Sequence, residues 1–163
     1  MPAPATVLVV CTANICRSPM AAGLLSHAFA ARPAPLRSLR IVSAGVAART
    51  GELVSENSVI ALRKAGIDIS GHRSQPLMQQ MLDDAFVVLC MTESHRAMIQ
   101  LQAEPAPKNL FLFREFMPEA SDKEICDPYG GTLKIYEAAR DEMVEALPSL
   151  LEALRVLLAA KPA

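Results

Sequence analysis

The chain has no excess of charge of either sign, since 16 basic and 17 acidic residues leave it at −1. Nucleic-acid and membrane-surface partners select a basic excess, so both classes are disfavoured. Long hydrophobic runs are missing as well. No segment approaches the roughly 20 apolar residues of a membrane span, so no membrane insertion is expected. The apolar run at 6–10 is too short for a secretory signal, and no basic stretch precedes it. Four cysteines (Cys11, Cys16, Cys90 and Cys126) are too few for a disulfide scaffold in 163 residues. They suggest a reducing, cytoplasmic setting in which thiols serve chemistry, metal or packing. The three histidines, His27, His72 and His95, show no ligand spacing with the cysteines, so no metal or other cofactor is called for. Repeats and low-complexity blocks are absent, and the Pro/Ala stretches at 30–38 and 103–109 are too short to link domains. One domain over 1–163, ordered over about 5–158, is the expectation.

What remains is a globular composition, 52% hydrophobic and 20% charged. Short apolar or β-branched runs at 6–10, 40–43, 86–90 and 110–113 read as strands covered on both faces. Helical periodicity falls between and after them, at 18–31, 56–65, 77–82, 94–101 and from 132 onward. Gly66 suits the C-cap of the second helix, and Pro148 predicts a kink or a fresh start in the last. The alternation gives an α/β fold: an open parallel four-stranded sheet with helices on both faces. Ligands of such sheets sit beyond the carboxyl ends of the strands, and Cys11 stands at one of them.

The stretch VLVVCTANICRSPM, residues 7–20, ends a strand on a thiol and opens a helix with an arginine. A turn this tight aims consecutive backbone N–H groups into one concavity, a nest for an anion. The helix adds its unpaired amides and the positive end of its dipole. Arg17 offers a planar two-pronged donor matched to two phosphate oxygens. The same field favours negative charge on the Cys11 sulfur, and Ser18 can donate a hydrogen bond to it. A thiolate beside a bound phosphate is a nucleophile aimed at phosphorus. The bland alternative makes Cys11 and Cys16 small buried hydrophobes and Arg17 a solvated charge. Strand before, helix after, and Ser-Pro following favour the nucleophile.

The second chemical signal lies near the other end, in CDPYGG at 126–131. Asp127 is a carboxylate on a stiffened backbone, and Tyr129 beside it is a flat apolar wall. Taken alone, the segment is equally an ordinary turn before a long helix.

The pattern C-x-x-N-x-C-R-S-P after a strand resembles the low-molecular-weight protein tyrosine phosphatases, and VSAG at 42–45, LCMTESH at 89–95 and DPYGG at 127–131 follow in that family's order. The C-terminal DPYGGTLKIYEAARDEM is similar to bacterial members. The resemblance implies a phosphate-binding loop of Thr12, Ala13, Asn14, Ile15, Cys16 and Ser18 around the catalytic Cys11, Arg17 and Asp127. Asp127 becomes the general acid, and Tyr129 and Arg49 line the substrate slot, where Arg49 would favour acidic surroundings of the phosphosite. Ser43 steadies the loop through Asn14, and His72 braces it, although Thr92 stands where the acidic partner of that histidine is usual. Cys16 is implied as a redox partner of Cys11. Cys90 reads as core, Cys126 has no assigned role, and His27 and His95 read as surface or helix-face residues.

The implied reaction is hydrolysis of phosphotyrosine in a protein or peptide through a phosphocysteine, without a cofactor. The alternative is a protein-arginine phosphatase on the same scaffold. Those enzymes resemble the chain around DPYGG but carry threonine where Ile15 stands, and an apolar branched side chain suits an aromatic leaving group. Arsenate reduction needs two further cysteines on a mobile central segment, where only Cys90 lies. A non-catalytic phosphoprotein-binding module would call for loss of Cys11, Arg17 or Asp127. Oligomeric state is not readable.

Overall fold

A computed structural model describes residues 3–162. The elements run β1 (Thr6–Cys11), α1 (Arg17–Ala30), a short 3₁₀ turn (Leu36–Ser38), β2 (Arg40–Gly45), α2 (Glu56–Arg63), α3 (Gln79–Asp84), β3 (Ala85–Cys90), α4 (Glu93–Gln102), β4 (Leu110–Leu112) and α5 (Leu133–Ala159). The four strands form one parallel sheet in the order β2-β1-β3-β4. All four expected strands and five expected helices are present, with ends shifted by up to two residues, except that the last helix, expected to run to the end of the chain, stops at Ala159. The 3₁₀ turn carries no periodicity and was not expected.

Alternation along the strands assigns the two faces. Val7, Val9 and Cys11 of β1 join Val87 and Leu89 of β3 in a core built with Met20, Ala21, Leu24 and Leu25 of α1, Ala61 and Leu62 of α2, and the inner stripe of α5. Leu8, Val10, Val88 and Cys90 point to the opposite face, where Leu82 of α3 and Ile99 of α4 cover them. Cys90 is therefore separated from Cys11 by the sheet. Burial pushes its thiol up to about 12, and it serves as core.

Gly66 takes a positive φ of 79° just past α2, as a C-cap should. At Pro148 the expectation of a fresh start fails, because α5 is one continuous helix with the proline inside it. The apolar stripe Tyr136, Ala139, Met143, Ala146, Leu150, Leu151 and Leu154 is buried on both sides of the proline. Packing of that stripe outweighs the lost hydrogen bond, for each fully buried Leu or Met contributes about 1.5–3 kcal/mol. Among the described residues no helix is long and apolar enough to cross a membrane.

Candidate active site

The loop 12–16 leaves the carboxyl end of β1 at the centre of the sheet and feeds α1 directly. Neighbouring segments clamp it from both sides: Val46 N–H donates to the Cys11 carbonyl, Ala47 N–H to that of Thr12, and Ser55 N–H to that of Ile15. Among the described residues, the amides of Ala13, Asn14, Ile15 and Cys16 find no acceptor within the protein. Asn14 adopts φ 58°, the left-handed turn that lets successive amides converge.

Asn14 is fully buried and bonded on every side. Its Nδ2 donates to Ser18 Oγ at 2.7 Å and to Ser43 Oγ at 3.0 Å. Its Oδ1 accepts Gln75 N–H at 3.0 Å, and its backbone carbonyl accepts from His72 Nε2 at 2.8 Å. Because that acceptor is a carbonyl, the proton of His72 lies on Nε2. The brace thus forms without the acidic partner that position 92 lacks. Burial lowers the His72 pKa, and the Asn14 carbonyl partly offsets it. With Ser18 Oγ accepting from Asn14, its own proton is directed at Cys11 Sγ, 3.0 Å away. The loop therefore aims a hydroxyl at the Cys11 sulfur.

Arg17, at the first position of α1, is buried, with Nη1 donating to the Ile125 carbonyl at 3.0 Å. Its Nη2 lies 3.5 Å from Asp127 Oδ2, and that carboxylate is 54% exposed. Asp127 Oδ1 accepts Tyr129 N–H at 3.2 Å, the Asx turn that DPYGG announces. The start of α1 and the loop before α5 are thus joined by one guanidinium. Cys11, Thr12, Ala13, Ile15, Cys16, Arg17, Asp127 and Tyr129 enclose a pocket of about 210 Å³. Tyr129 remains 71% exposed at its mouth.

Cys16 shares a core face with Cys11, and both thiols are free. Its Sγ lies 3.4 Å from the Tyr136 hydroxyl, which accepts from Ser55 Oγ at 3.0 Å. Burial raises the Cys16 pKa, and the two hydroxyls partly counter it. Arg49 is exposed on the loop after β2, outside the residues lining the pocket, and its carbonyl accepts from Ser74 Oγ. Cys126 is exposed beside Asp127.

His95 lies on a face of α4, but it is buried at 4% exposure rather than on the surface. Its Nε2 lies 2.8 Å from Thr12 Oγ1 and its Nδ1 3.1 Å from Thr92 Oγ1. Gln75 and Ser55 were also not foreseen. Gln75 accepts Gly45 N–H on its carbonyl and donates Nε2–H to the Ser43 carbonyl, so it locks the loop against β2. A lone Gln in a polar stretch carries no signal of that contact. The Ser-His pair in MTESH could have raised His95 only through its place in a motif.

Residues 6–158 match the family described as low molecular weight phosphotyrosine protein phosphatase. The chain is 38% identical over 152 residues to a protein-arginine-phosphatase of Geobacillus stearothermophilus, covering 93% of this chain and 97% of that one. The crystal structure of a low molecular weight protein tyrosine phosphatase from T. tengcongensis superposes with a TM-score of 0.81 at 36% identity, covering 91% of this chain and 99% of that one. The YwlE arginine phosphatase, as a cysteine-to-serine mutant with a phosphorylated active-site serine, is similar at TM-score 0.80 and 32% identity, covering 92% and 95%.

Proposed function

Since the chain belongs to the low molecular weight phosphotyrosine protein phosphatase family and is a hydrolase, we propose that it cleaves phosphotyrosine in proteins through a phosphocysteine on Cys11. The observation that carries this reading is the pocket itself: nucleophile, arginine and carboxylate converge from opposite ends of the chain between the apolar walls of Ile15 and Tyr129. The Cys11 sulfur attacks phosphorus in line as the bond to the tyrosyl oxygen breaks, and Asp127 gives that oxygen its proton. Arg17 and the loop amides hold the equatorial oxygens, where charge is greatest in the transition state. Asp127 then takes a proton from water, which attacks phosphorus, releases inorganic phosphate and returns the thiolate.

Cys16 has a protective role in the same scheme. Peroxide oxidises Cys11 to a sulfenic acid with loss of water, and the Cys16 thiol displaces a second water to form a disulfide. Such thiol chemistry suits a reducing compartment, which we take to be the cytoplasm. Arg49 lies outside the pocket lining, so any contact it makes is with residues flanking the phosphosite.

Protein-arginine phosphatase is the second reading, favoured by the name of the 38% identical relative. Ile15 at the pocket wall separates the two readings, since it offers no hydroxyl to assist attack on a phosphoramidate. The test compares phosphotyrosine, phosphoarginine and phosphoserine peptides with wild type, Cys11→Ser and Ile15→Thr. Wild type is expected to prefer phosphotyrosine, Cys11→Ser to lose turnover by about 10³-fold or more, and Ile15→Thr to shift preference toward phosphoarginine. Faster wild-type turnover of phosphoarginine overturns the tyrosine preference, and an active Cys11→Ser overturns the mechanism.

A further inference from the structure

One buried histidine joins two threonines from distant parts of the chain, and the steps proposed above use none of the three side chains. Thr92 and His95 sit at the start of α4, while Thr12 is exposed in the loop and lines the pocket. The order of protons along this chain follows from its acceptors. Thr92 Oγ1 already accepts the backbone N–H of His95 at 3.3 Å, as the cap of α4. Its own proton then goes to the adjacent Nδ1, 3.1 Å away. A neutral ring that accepts at Nδ1 carries its proton on Nε2, which donates to Thr12 Oγ1 at 2.8 Å. The proton of Thr12 is then free for the pocket. The opposite order leaves the proton of half-buried Thr92 with no acceptor among the described residues and turns an oxygen lone pair of Thr12 toward an anion.

Neutrality of the ring is physically supported. Burial, and after it the charge of Arg17, hold His95 down at about 4, against the opposing pull of Asp127 and Glu124.

We propose that Thr92 and His95 form a one-way hydrogen-bond relay that fixes the Thr12 hydroxyl as an added donor to the substrate's phosphoryl oxygens. His95 is then a positioning residue, and Thr12 a phosphate-binding one. The relay rests on the phosphatase reading of the pocket. It mirrors the Asn14–Ser18–Cys11 chain on the other side of the loop, which spends its last proton on sulfur. A donor to the phosphoryl group is blind to the leaving group, so its loss weakens aryl phosphates and inorganic phosphate alike.

The test measures aryl-phosphate turnover, and competitive inhibition by inorganic phosphate, for the full chain and five variants. Thr12→Val and His95→Leu are each expected to lower kcat/KM and weaken phosphate inhibition roughly tenfold, the scale of a hydrogen bond to a charged group. Thr12→Ser restores the hydroxyl, and His95→Gln, whose amide N–H reaches the Nε2 position, restores the donor; both recover most of the loss. The double variant Thr12→Val/His95→Leu is expected to be no worse than either single by more than about twofold. Wild-type behaviour in Thr12→Val overturns the relay, and so do losses that multiply in the double variant. If His95→Leu fails to fold, the Thr12→Val and Thr12→Ser pair decides by itself. A wild type inert toward every aryl phosphate sinks the phosphatase reading and the relay with it, whereas an active wild type with an unaffected Thr12→Val sinks the relay alone.

Discussion

At the scale of single residues, Asn14 and Asp127 fail in different ways when changed. Asn14→Ala leaves the left-handed φ in place without the side chain that tolerates it, and strips partners from Ser18, Ser43 and the Gln75 amide. The expected destabilisation is about 2–4 kcal/mol, read from the denaturant midpoint. Asn14→Gly removes only the backbone part of that loss, so it should still lose at least half of it. Asp127 is half-exposed and bonded to little beyond Arg17 and the Tyr129 amide. Asp127→Ala should therefore fold normally yet slow phosphotyrosine by about 10²–10⁴-fold. An aryl phosphate with a very acidic phenol needs no proton and should slow far less. Equal slowing of both substrates argues against the acid role.

At the scale of elements, continuous apolar runs and helix periodicity are local properties, which is why 6–10, 86–90 and the long last helix are readable from the sequence. Pro148 starts no new helix because its cost is local while its compensation comes from packing of α5 against α1 and α2. Pro148 is exposed, so Pro148→Ala adds a backbone N–H without removing core contacts. It should raise stability by about 1–3 kcal/mol, measured as a higher Tm at unchanged kcat/KM. Gly45 ends β2 against the loop, where an added Cβ would strike the Thr12 carbonyl and come within 2.9 Å of Asn14 N. Gly45→Ala should displace the loop, lowering kcat for every phosphate ester while leaving secondary structure by circular dichroism unchanged. The motif VSAG marked this glycine, but only the parallel pairing of Cys11 with Gly45 gives the reason.

Across the whole molecule, the parts of the site that could be read lie within the one loop and in the Asp-Pro turn, whereas the partners that organise them come from afar. His95 meets Thr12 and Tyr136 meets Cys16 across 83 and 120 positions, and no periodicity encodes such pairs. His95 also links the site to acid stability. It is held at about 4 when folded and titrates near 6.5 when unfolded. Between those values the unfolded chain takes up a proton that the folded chain refuses, so stability falls as pH drops from about 6.5 to about 4. His72, also lowered by burial, acts in the same direction. Tm should decline across that window, and less steeply in His95→Gln; an identical decline in the variant assigns the loss to other groups. Finally, β1 holds an inner position in the sheet although it precedes its partners β2 and β3 in the chain. During synthesis at about 5–20 residues per second, Cys11 emerges on the order of ten seconds before Asp127 and the Ile125 carbonyl that anchors Arg17. A nascent chain therefore carries the Cys11 sulfur before the groups that complete its pocket exist, so translation sets a lower bound on the interval before the pocket can close around a phosphate.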